Sequence, residues 1–145
     1  MRNFKSFVLS VFALLTIPFF APATSAHAQF PAYLHAISDL RSAREYLRMD
    51  TRPERVRARE FAIEQITRAI DEMKRAAMDD GKNPWQAPPA QSEGNEFRPI
   101  HSAERLLREA RRDVDHGFDS PENRGLRERS IEHIDKALEA LQPFM

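Results

Sequence analysis

Apolar residues return at alternating three- and four-residue steps in four stretches of this sequence, and the first two stretches align with the last two. Tyr33, Ile37, Leu40, Ala43 and Leu47 share one helix face, as do Ala62, Ile66, Ala69, Met73 and Ala76, with Ile63 and Ile70 beside them. The third stretch carries Ile100, Ala103, Leu107, Ala110 and Val114, and the fourth Leu126, Ile131, Ile134, Leu138 and Leu141. Leu40-Arg41-Ser42-Ala43-Arg44 matches Leu107-Arg108-Glu109-Ala110-Arg111 at an offset of 67. After a one-residue slip, Pro53-Glu54 matches Pro121-Glu122, and Ile63, Ile66, Ala69, Ile70 and Met73 match Ile131, Ile134, Ala137, Leu138 and Leu141 at 68. A pair of amphipathic helices cannot bury its stripe alone, so two such pairs close on each other. The expectation is an all-α four-helix bundle built from a duplicated helical hairpin, with one long crossover.

Turn signals set the boundaries: hairpins over 30–78 and 99–142, joined by a crossover over 79–98. Thr51-Arg52-Pro53-Glu54 has the form of a capping box with proline tolerated in the first turn. Ser120-Pro121 supplies the same for the last helix, and Gly81 and Gly117 stand where their helices stop. The crossover holds Pro84, Pro88 and Pro89 and is too proline-rich for a helix. It also holds the only tryptophan, Trp85. A lone indole in a proline-stiffened loop gains by burial, so 79–89 is expected to fold back on the first helix and bury Trp85 there. A free linker is the alternative.

The N-terminus reads as a secretory signal. Arg2 and Lys5 precede an apolar run from Phe7 to Phe20, and Ala26-His27-Ala28 places small residues before a cut that leaves Gln29 first. A run of about fourteen residues containing Pro18 is short of the roughly twenty that span a membrane. Without cysteine there is no lipid attachment at the cut, and no Arg-Arg pair marks the twin-arginine route. The mature chain, 29–145, is therefore expected in the periplasm or secreted, with no membrane association after cleavage. It carries 20 basic and 22 acidic residues. That balance offers no general field to attract nucleic acid or anionic lipid. Absence of cysteine also excludes thiolate metal sites, c-type haem attachment and thiol catalysis.

Few residues suggest chemistry. His35, Asp39, Ser42 and Tyr46 form a second stripe on the first helix, read either as a solvated face or as a face covered by the crossover or a ligand. Asp79 and Asp80 end the second helix, where the helix dipole disfavours negative charge, so a cation is expected beside them, with Lys82 and Arg41 as candidates. His35/Asp39, His101/Glu104 and Asp113/His116 have helical ligand spacing, but none repeats in a paired helix and no Glu-x-x-His occurs. Neither a metal site nor a cofactor is expected. There is no strand-turn-helix elbow and no Gly-rich loop, so nothing points to an enzyme. Arginine outnumbers lysine, but acids are interleaved among the arginines, as on solvated helix faces.

Tyr33-Leu34-His35-Ala36-Ile37-Ser38-Asp39-Leu40-Arg41, Ala77-Met78-Asp79-Asp80-Gly81-Lys82, Pro88-Pro89, Gly125-Leu126-Arg127 and Ile134-Asp135-Lys136-Ala137 together resemble a family of small secreted bacterial helical proteins of unassigned function. The resemblance spans the mature chain and implies no activity. It does place His35, Asp39, Arg41, Asp79, Asp80 and Lys82 in the family pattern, where a core alone would not require polar residues. With Tyr46 and Trp85 these are the candidate binding residues. The function expected is a non-enzymatic extracytoplasmic binding or protein-interaction module, its partner a protein or small molecule and not nucleic acid. The alternative is a metal or cofactor carrier built in the bundle core.

Overall fold

The computed structural model describes residues 32–91, 98–117 and 121–145. The segment read as a signal peptide and the proposed cap Ser120 lie outside the described residues. Four helices run over Ala32–Met49 (α1), Val56–Asp79 (α2), Pro99–Gly117 (α3) and Arg124–Leu141 (α4). Short 3-10 turns at Pro53–Arg55 and Pro121–Asn123 lead into α2 and α4, and there is no strand among the described residues.

The helices pack as a bundle in which α1 lies mainly along α3 and α2 mainly along α4. Both pairs are antiparallel: the end of α3 at Gly117 meets the start of α1 at Ala32, and α4 runs from Asn123 beside Ala76 to His133 beside Gln65. Contact within each half, α1 with α2 and α3 with α4, is less extensive. The apolar stripes fill the interior. Ile37, Leu40, Leu47, Ile66, Met73, Leu107, Val114, Ile134 and Leu141 are all fully buried. Each large aliphatic residue so buried contributes roughly 1.5–3 kcal/mol, which is what holds a bundle without disulfides together.

On α4 the stripe is displaced from the expected one. Ser130, Ile134, Ala137 and Leu141 point inward, whereas Leu126, Ile131 and Leu138 are only partly buried against the core edge. Ser130 Oγ donates to the Leu126 carbonyl at 2.8 Å, so its hydroxyl is satisfied inside the helix.

The capping box expected at Thr51 and Glu54 does not form: α2 begins after the Pro53–Arg55 turn with no side-chain cap. Asp50 serves this corner instead. Its carboxylate, almost fully buried, accepts from the Arg52 amide at 3.5 Å, and its carbonyl accepts from Arg59. At the other end of α2, Gly81 adopts φ 68°. Lys82 N–H donates to Ala77 O at 2.8 Å and Gly81 N–H to Met78 O at 2.9 Å, a Schellman closure that needs a left-handed residue. Gly117 is required for space: a Cβ there would stand 3.1 Å from the Ala32 Cβ.

Candidate functional site

The crossover is laid along α1 in the same direction as the helix. Lys82 Nζ stands 5.2 Å over the Tyr33 ring, Ser38 Oγ donates to Pro89 O at 3.3 Å, and the Gln91 amide donates to Ser42 Oγ at 2.8 Å. Ser42 in turn donates to Ser38 O at 3.0 Å, so this buried hydroxyl is used as both donor and acceptor. Ser38 and Ser42, one helical turn apart, form the strip that receives the loop. Pro84 and Ala87 are buried beneath it.

Trp85 departs from the expectation of a buried indole near the polar stripe. It is 70% exposed, and its ring lies 5.0 Å from Lys74 Nζ on α2. The reason is local: Asn83 Oδ1 accepts from the Trp85 amide at 2.9 Å, fixing the Pro84–Gln86 turn so that Pro84, not Trp85, faces the bundle. The indole keeps a cation–π contact with Lys74 in place of burial.

The eight candidate residues do not form one site. Tyr33, Asp80 and Lys82 meet at the end of the bundle where α2 stops. Tyr46 lies 13 residues along α1 from Tyr33, about 20 Å of helix rise away, and is buried. Asp79 is exposed, and Arg41 is half-buried on α1. Of the two cations proposed for the α2 terminus, Lys82 takes the role, 3.8 Å from Asp80, while Arg41 makes no ion pair with either acid among the described residues. The stronger partner is one the sequence did not suggest. Asn123, fully buried, donates through Nδ2 to Asp80 Oδ1 at 2.6 Å and to the Ala76 carbonyl at 3.3 Å. Burial and then the negative charge of Asp80 push the Tyr33 phenol upward.

Asp39 belongs to a second cluster, on the seam between α1 and α3. Burial, and after it the nearby acids Glu109 and Asp113, raise its carboxyl to about 6, while His35 and Arg105 oppose the shift. Asp113 is raised by burial too, against His35 and Arg112. The i,i+4 spacing of His35 and Asp39 was legible. Their apposition to α3 required knowing that α1 pairs with α3 rather than with α2.

Among the described residues no three His, Cys, Asp or Glu side chains are grouped to hold a metal ion, and no helix is long and apolar enough to cross a membrane. Compared with family models, with curated proteins and with solved structures, the chain has no significant match in any of the three.

Proposed function

We propose that the chain is a non-enzymatic binding module that engages a protein partner outside the cytoplasm, with Trp85 as its contact anchor. The observation that carries this reading is an indole left 70% exposed on a braced turn. Tryptophan is seldom left in water, and it is enriched where a few residues supply most of an interface's energy. Proline at 84, the Asn83 cap and the hydrogen bonds from Ser38 and to Ser42 hold the loop, so little order is lost on binding. Met78, exposed and one turn beyond Lys74 on α2, extends the apolar area. The extracytoplasmic setting is supported by the N-terminal signal pattern and by the resemblance to small secreted helical proteins. In the same reading the two halves descend from a duplication, supported by the sequence offsets and by the pairing of α1 with α3 and α2 with α4.

The test is affinity capture from native periplasm with wild-type and Trp85→Ala baits in parallel, after circular dichroism has shown both to be folded. A partner retained by the wild type and lost by the variant supports the reading. Identical retained sets from both baits overturn Trp85 as the anchor.

A further inference from the structure

The end of the bundle opposite Asp80 holds a cavity of about 180 Å³ lined by Arg52, Arg55, Arg98, His101, Ile100 and Phe144. Three arginines line it, and two of them, Arg52 and Arg55, share the carboxylate of Asp50. It lies 3.7 Å from Arg52 and 3.5 Å from Arg55, longer than the 2.7–2.9 Å of a close charge-assisted bond. Among the described residues Arg98 makes no ion pair, and the Nε of Arg55 is buried with no hydrogen-bond partner. Arg55 is held in place by stacking, its guanidinium 5.3 Å from the centre of the Phe144 ring. Pro99 opens α3 at the cavity wall, and the first bond of that helix is donated by Ser102 to Arg98 O at 3.2 Å. The amides of Ile100 and His101 therefore precede the intrahelical ladder.

Arg55 is the residue that aligns with Asn123 at the offset of 68. At the far end Asn123 closes the corner with a carboxylate at 2.6 Å. The corresponding corner here carries a cation with an unused donor and an open cavity in front of it.

We infer that this cavity is a binding site for a small ligand bearing a phosphate or phosphomonoester group. Three arginines against one carboxylate leave two positive charges, which matches the charge of roughly −1.5 to −2 on a phosphomonoester at neutral pH. Guanidinium forks suit its oxygens, and a volume several times the roughly 30 Å³ of a water admits the phosphoryl group with a short substituent against Ile100 and Phe144. The site is separate from the Trp85 surface and does not depend on it.

Titration calorimetry of the full mature chain with inorganic phosphate and with phenyl phosphate tests this, alongside vesicles containing phosphatidate, which present the same group on a membrane. Saturable binding of a soluble or vesicle-borne probe is expected. Losing one charged hydrogen bond in Arg98→Ala or Arg52→Ala, both exposed positions, should weaken it about tenfold or more. Arg55→Lys keeps the charge but loses the fork and should weaken it as well. Lys82→Ala removes a charge at the other end and should leave affinity unchanged, as should Trp85→Ala. No saturable binding of any probe overturns the inference. So does equal affinity in wild type, Arg98→Ala and Arg52→Ala.

Discussion

His133 on α4 donates through Nδ1 to Gln65 Oε1 on α2 at 2.8 Å, and the two residues are 68 apart, the same offset that aligns the second and fourth helices. Because α2 and α4 are antiparallel, this pair marks the place where the two aligned helices cross. The next aligned pair, Ile66 and Ile134, is fully buried. Truncating either to alanine should cost about 2–5 kcal/mol in denaturant melts. A neutral result at one position and a large cost at the other would show that the two halves do not carry the core alike.

Burial lowers the pKa of His133, and the positive charges of Lys136 and Arg68 add to the shift. In the pH range below the ordinary histidine value of about 6.5, the unfolded chain then binds a proton that the folded chain does not. The stability associated with neutral His133 is present above that value and is lost as pH falls through the folded pKa. His133→Gln, which keeps a donor for Gln65 but cannot titrate, should flatten this part of the profile. Melts at a series of pH values compare the two chains directly.

Asp39 works in the opposite sense. Its folded pKa of about 6 lies above the ordinary value near 3.9, so the folded state holds a proton that the unfolded state has released. Its contribution is fully present below about pH 4 and is lost as pH rises through about 6. Asp39→Asn should therefore be more stable than the wild type at pH 7, with the difference disappearing near pH 4. A variant less stable at pH 7 would mean that the carboxylate has a favourable partner in the seam and that burial does not dominate.

The fold was legible because its cause is periodic: on α1, α2 and α3 every stripe residue named from spacing is buried. On α4 the small Ser130 and Ala137 stand among the inward-facing residues, while Leu126, Ile131 and Leu138 lie at the core edge. The residues around the candidate site were harder to read because they depend on which helices pair. Glu109 and Asp113 reach Asp39 only because α1 lies against α3. Burial of Trp85 does not follow from its apolar area and the flanking prolines, since the Asn83 cap and the burial of Pro84 decide which way that turn faces.

The N-terminal pattern predicts a processed chain. Material recovered from the extracytoplasmic fraction should have an intact mass corresponding to Gln29 as the first residue. Secreted material that retains residues 1–28 would refute this reading of Ala26-His27-Ala28.

Asn123 supplies the last prediction, because it joins two helices that are distant in sequence. Its amide satisfies the Ala76 carbonyl in the final turn of α2 and the Asp80 carboxylate just beyond, from the residue that precedes α4. Nothing in the local sequence marks it, since an asparagine after Pro121-Glu122 reads as an ordinary turn residue. Asn123→Ala removes one of the two donors to the Ala76 carbonyl and the short bond to the Asp80 carboxylate, leaving the Asp80 amide and Lys82 as their partners, and should cost about 1–3 kcal/mol. Asn123→Asp is close to isosteric but sets a second carboxylate against Asp80 at the negative end of the α2 dipole, and should cost more. Its deficit should shrink as pH falls and the pair takes up a proton, whereas the alanine deficit should not follow that course. Denaturant melts of both variants at pH 7 and pH 4.5 separate the two outcomes. An aspartate variant as stable as the wild type at pH 7 would show that Lys82, 3.8 Å from Asp80, is enough to neutralise this corner without the amide.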